Sequence, residues 1–129
     1  MQENHLFEYA VIRLVPKVER EEFLNVGVVL YCAKQRFLKA LYELDEERLN
    51  AFSKDLDLKE IEAYLQSFVK ICEGGKNNGP IGQLDAASRF RWLTAARSTV
   101  IQTSKVHPGF CNNAEEKLLS LFKSLVLSV

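Results

Sequence analysis

The sequence predicts an α+β protein: an antiparallel sheet of three to four strands packed with helices, in the order β-β-β-α-α-α-β-α. Three observations predict it. The first 44 residues hold three segments rich in β-branched and aromatic residues, separated by polar turns. From Asp45 onward the apolar residues recur at helical spacing instead. A last β-prone stretch, Arg97 to Ser104, precedes a final amphipathic segment.

Leu6 to Val15 (LFEYAVIRLV) ends at Pro16 and reads as the first strand, with PKVERE as a polar turn. Phe23 to Ala33 (FLNVGVVLYCA) reads as the second. Leu24, Val26, Val28, Leu30 and Cys32 form one apolar parity, and Phe23, Asn25, Gly27, Val29 and Tyr31 a mixed one. Apolar residues on both parities imply a strand that is central or covered on both faces. After a KQ turn, Arg36 to Leu44 completes an antiparallel meander.

Asp45 then caps a short helix through Ser53, and Asp57 with Glu60 makes a capping-box-like start to a longer one. Leu58, Ile61, Leu65, Phe68, Val69 and Cys72 line one face of that helix, and Gly74 and Gly75 close it. Lys76 to Gly82 (KNNGPIG) is loop-rich but too short for a domain linker, so residues 1–129 read as a single domain. Asp85 is expected to cap a short helix that anchors Phe90 and Trp92 in the core. Val100 and Ile101 centre the fourth strand, and VHPGF reads as a turn. Asn113 with Glu116 opens the last helix, whose apolar face holds Leu118, Leu121, Phe122, Leu125 and Val129.

With 47% hydrophobic and 26% charged residues, the composition excludes disorder and a disulfide-stapled miniprotein. Seventeen basic residues balance seventeen acidic ones, which argues against a duplex-DNA binder. Cys32, Cys72 and Cys111 form no CxxC pair, and His5 and His107 are the only histidines, so no metal site and no cofactor is expected. Cys32 and Cys72 read as small core residues. The first residues include Glu3 and Glu8 and lack a basic n-region, and the longest apolar run, Val26 to Ala33, is too short to span a bilayer. A cytoplasmic location with no membrane contact follows as the expectation.

The zero charge hides a local asymmetry. Glu43 to Glu62 holds eight acids against three bases, whereas Ala86 to Ala114 holds Arg89, Arg91, Arg97 and Lys105 and no acid. Arginines, the hydroxyls of Ser98 and Thr99 and loop amides are what an anion cradle requires. The bland alternative is that Arg97 pairs with the acidic helical span. Because Arg89 and Arg91 are two residues apart, they point to different sides, and at least one should be solvated. Arg13 lies within a strand. Either it pairs with Glu8, Glu22 or a helix C-terminus, or it points from the sheet into a pocket. Gly27, on the parity of Asn25, marks a bulge or a close approach, more readily by a helix or loop than by a ligand. His107, mounted before Pro108 and Gly109, is a candidate acid or base, with Ser98, Ser104 or Cys111 as nucleophile. No GxSxG, HExxH, P-loop or GxGxxG motif accompanies it. RFRW (Arg89 to Trp92) is a weak single-strand nucleic-acid signal.

Two blocks, YAVIRLVPKVEREEFLNVGVVLYC (Tyr9 to Cys32) and SRFRWLTAARSTVIQTSKVHPG (Ser88 to Gly109), resemble the bacterial domain-of-unknown-function family 3037 over nearly the whole chain. Matching positions are Arg13, Arg20, Glu22, Asn25, Gly27, Arg89, Trp92, Arg97, Ser98, Thr99 and His107. The resemblance implies a small cytoplasmic protein of unsettled activity, with a kinase-like protein as a partner suggested by gene neighbourhood. The leading expectation is a non-enzymatic interaction or regulatory module with an anion-recognising cleft. Arg13, Arg89 and Arg97 would hold a small anionic ligand, Ser98 and Thr99 would orient it, and His107 would lie at the rim. The alternative is a hydrolase or transferase acting on a phosphorylated or nucleotide-like substrate through His107. Oligomer assembly through sheet edges or the last helix is a third.

Overall fold

The computed structural model describes residues 4–127. Strand β1 (His5–Leu14), β2 (Leu24–Cys32) and β3 (Phe37–Tyr42) form the expected meander. Helices α1 (Glu46–Phe52) and α2 (Leu58–Glu73) follow, then a one-turn helix α3 (Gly79–Gly82) and α4 (Ala86–Leu93). Strands β4 (Ile101–Thr103) and β5 (His107–Cys111) precede α5 (Ala114–Phe122), which runs on into a π turn, Lys123–Leu127. The fold is α+β, as expected.

The sheet has five strands in the order β3-β2-β1-β4, with β5 also on β1. β4 pairs with Ile12–Leu14 and β5 with His5–Tyr9, so the two lie end to end along one edge of β1. Ser104 joins them. Its N–H donates to the Val11 carbonyl, and its Oγ accepts from the Val11 N–H at 2.8 Å. A buried hydroxyl thus supplies the acceptor that a regular ladder would take from the main chain.

The VHPGF segment is strand β5 and not a turn. Val15 N–H bonds Val100 and Ser104 N–H bonds Val11, so the odd-numbered residues of β1 direct their main-chain groups to this edge. Pro108 faces the even-numbered Glu8, hence its missing N–H would have pointed off the sheet, where proline is tolerated. Gly109 faces Phe7, and a Cβ there would lie 2.7 Å from the ring. Tertiary position overrides the Pro-Gly turn signal. The fourth strand is also shorter than expected: residues 97–100 are irregular, and Val100 is exposed while Ile101 is buried.

A bulge between Ile12 and Arg13 shifts the β1–β2 register so that Arg13 faces Asn25, leaving Val26 as the extra residue. It splits the apolar parity of β2. Val28, Leu30 and Cys32 pack with Phe7, Ala114 and Leu118 under α5. Leu24 and Val26 pack with Ala10, Ile12 and Leu14 against α2 and α4. Each sheet face therefore carries its own core, and β2 is both central and doubly covered. Gly27 is required by a neighbouring strand, not by a helix or loop: a Cβ would sit 2.5 Å from the Leu41 carbonyl.

Helix starts follow local chemistry. Asp45, Asp57 and Asn113 accept from the N–H of Arg48, Glu60 and Glu116. Asp85 occupies the cap position of α4, but its side chain accepts no helix N–H. Phe90 is fully buried and stacks on Tyr31 at 5.5 Å, whereas Trp92 is 41% exposed and does not anchor the core. No helix among the described residues is long and apolar enough to cross a membrane. Val129, expected on the last helical face, lies outside the described residues.

Candidate functional site

The arginines expected to converge are divided by the sheet. Arg13 alternates with Ile12 and Leu14 and so projects on the α5 face, while α2 and α4, whose ends Arg89 and Arg97 reach, pack on the other.

Arg89 closes α2. Its Nη1 donates to the carbonyls of Ile71 (2.8 Å) and Cys72 (2.6 Å), and its Nε to that of Leu84 (2.9 Å). A cation on the last carbonyls of a helix satisfies acceptors the helix itself cannot and opposes its dipole. Gly74, at φ 73°, lets the guanidinium approach, since a Cβ there would lie 2.8 Å from it. The adjacent Cys72 thiol is pushed up to about 12 by burial, against a smaller opposing effect of Arg89.

Arg97 does the same for α4. It donates to the carbonyls of Leu93 (3.1 Å) and Trp92, and its guanidinium lies 4.3 Å from the centre of the Trp92 ring. It does not pair with the acidic helical span. Arg91 is the exposed neighbour, forming a two-point pair with Glu8 at 2.9 and 3.0 Å.

Arg13 is different. It lies 3.9 Å over the Phe23 ring, and its Nε is buried with no hydrogen-bond partner among the described residues. Neither Glu8 nor Glu22 pairs with it: Glu8 holds Arg91, and Glu22 holds Arg20. That last contact keeps the Glu22 carboxyl below the usual carboxylate range. Asn25, directly across from Arg13, donates Nδ2 to the Leu125 carbonyl at 3.2 Å, while its Oδ1 is buried and unpartnered among the described residues. The Nδ2 bond fixes the amide orientation, so an orphan donor and an orphan acceptor are held on neighbouring strands. At this end of the hairpin, Lys17, Arg20 and Lys54 line an open cleft of about 330 Å³ together with the acids Glu22 and Asp55, and Arg13, Phe23 and Asn25 are not part of its wall.

The other candidates lie elsewhere. Ser98 is exposed between α4 and β4, and the Thr99 hydroxyl donates to the Ile101 carbonyl. His107 is exposed, packs its ring 5.3 Å from Tyr9, and faces Tyr9 in the sheet. It is four β1 residues from Arg13, about 13 Å at the usual strand rise. Of its proposed nucleophiles, Ser104 both accepts from Val11 and donates to Lys105. Burial raises the Cys111 thiol above its ordinary value. No group of three or more His, Cys, Asp or Glu that could hold a metal is found among the described residues.

Sequence reading missed Phe23 and Arg48. Phe23 shares the parity of Asn25, so its place beside Arg13 becomes legible once the hairpin register is known. Arg48, with Asn25, holds the carbonyls of the C-terminal π turn, donating to Val126 at 3.2 Å. No local signal marks that role.

Among known proteins, residues 9–126 match the family described as "Protein of unknown function (DUF3037)". No curated protein and no solved structure matches.

Proposed function

The chain belongs to the DUF3037 family of proteins of unknown function, and from its hairpin corner we propose a non-enzymatic interaction or regulatory module that recognises an anionic group through Arg13. One observation carries the reading: a guanidinium stacked on Phe23, with a buried Nε that has no acceptor among the described residues. Stacking holds the planar fork in place, which lowers the ordering cost of binding a carboxylate or phosphate. The Asn25 Oδ1 on the facing strand is likewise buried and unpartnered among the described residues, which marks this corner as the place where polar capacity is unspent.

Arg89 and Arg97 are committed to helix carbonyls, so the site contracts from three arginines to Arg13 with Phe23 and Asn25. The experiment is a thermal-shift screen with inorganic phosphate, nucleotides and small carboxylates, on the wild type, Arg13→Gln and Arg97→Ala. The reading predicts stabilisation of the wild type and of Arg97→Ala by the same anion, and none of Arg13→Gln. No stabilisation of the wild type by any of these anions, or full retention in Arg13→Gln, contradicts it.

A further inference from the structure

A second surface lies on the opposite side of the sheet, between α2 and the edge strand β4. A cleft of about 420 Å³ has Val18, Val100 and Ile101 along its apolar part and Asp55, Asp57 and Glu60 at its rim. No basic residue lines it. A smaller, mostly apolar cleft of about 80 Å³ continues from it, walled by Phe68, Ile71, Leu93 and Trp92, with Arg97 as its one basic residue, at the end away from the acids. Tyr64 and Ile101 line both, so the two make one groove. Tyr64 is 45% and Trp92 41% exposed, so the groove presents two half-exposed aromatic rings.

We propose that this groove binds a segment of a partner protein in which a bulky apolar side chain is flanked by Lys or Arg. Charge complementarity selects that occupant. The acidic rim belongs to the span that holds eight acids against three bases, so a basic residue there gains attraction and an acidic one is repelled. The apolar side chain enters beside Trp92, whose ring Arg97 steadies by stacking. A rigid, half-exposed aromatic flanked by contacts that exclude water is the usual anchor of an interface. Recognition runs through side chains and not through strand addition, because the open edge of β4 is only three residues long and the Thr99 hydroxyl already occupies its Ile101 carbonyl. The proposal is independent of Arg13, which lies across the sheet.

Trp92 is the only tryptophan of the chain, so its fluorescence reports on the groove directly. The test begins with a phage-displayed random dodecapeptide library selected on the intact protein, followed by titration of synthetic Trp-free versions of the enriched peptides. The expected result is enrichment of Leu, Ile or Phe within three residues of Lys or Arg, with a saturable blue shift of Trp92. Affinity should fall at least about tenfold in the triple variant Asp55→Asn/Asp57→Asn/Glu60→Gln, in which the Asp57→Asn change keeps a favourable cap on α2. Folding of that variant is checked by its melting curve, and Arg13→Gln should bind the peptide as the wild type does. Failure to enrich any peptide overturns the proposal. So does a basic peptide that leaves Trp92 unmoved, equal affinity after the acids are neutralised, or a blue shift on concentrating the protein alone, which would make a second copy the occupant.

Discussion

Arg89 and Arg97 on one face of the sheet and Arg13 on the other spend their donors differently. Arg89 and Arg97 end on the carbonyls of helix C-termini, where each guanidinium completes a helix. Arg13 ends on an aromatic ring, with a buried Nε lacking any acceptor among the described residues. In sequence the three look alike, and the two in the acid-free span look more like an anion site. The difference lies in where the donors of each guanidinium are spent. An arginine whose donors are met by main chain belongs to the fold, and one whose donors are unmet has capacity left for a ligand.

That contrast can be broken by substitution. The largest effect is expected for Arg89→Ala, which leaves three carbonyl acceptors without their charged donor and should cost about 2–4 kcal/mol in chemical denaturation. It should also expose Cys72 to thiol reagents while leaving the anion response intact. Gly74→Ala attacks the same contact from the other side: a Cβ at positive φ against the guanidinium should cost about 1–3 kcal/mol. Arg97→Ala should cost about 1–2 kcal/mol, and should change Trp92 emission because the stacked cation is gone. Arg13→Gln should cost less than about 1 kcal/mol, since the buried Nε makes no bond to lose, yet it should abolish the anion response. A loss from Arg13→Gln as large as that from Arg89→Ala would place Arg13 with the structural arginines.

At neutral pH the smallest effect is that of the Cys72 thiol, which emerges only in alkali. Folding raises the Cys72 thiol from an ordinary value near 9 to about 12, so the folded state holds this proton more tightly than the unfolded one. Its contribution is intact below about pH 9 and is lost as pH rises toward about 12. Urea midpoints should therefore fall more steeply above about pH 9 in the wild type than in Cys72→Ala. Parallel curves would show that the thiol carries none of the alkaline dependence.

Much of the fold is legible in the sequence because it is set by local chemistry. Asp45, Asp57 and Asn113 announce their helices by a side chain three residues from its bonded N–H, and the strands of the meander announce themselves by composition. What is hidden depends on neighbours distant in sequence. Pro108 and Gly109 signal a turn until β1 is seen to place the proline on a free edge and the glycine against Phe7. The continuous parity of β2 conceals the bulge at Val26. The same holds for the site: charge counting finds Arg89 and Arg97, but only tertiary structure shows them occupied. Arg13 stands out only with Phe23 and Asn25 placed around it.

The most direct test is the side-chain Nε–H spectrum of the ¹⁵N-labelled protein, titrated with the anion that stabilises it most, or with inorganic phosphate. The Arg13 Nε–H resonance should move saturably, while those of Arg89 and Arg97 stay in place. Saturable movement of Arg89 or Arg97 with Arg13 unchanged would contradict the Arg13 assignment.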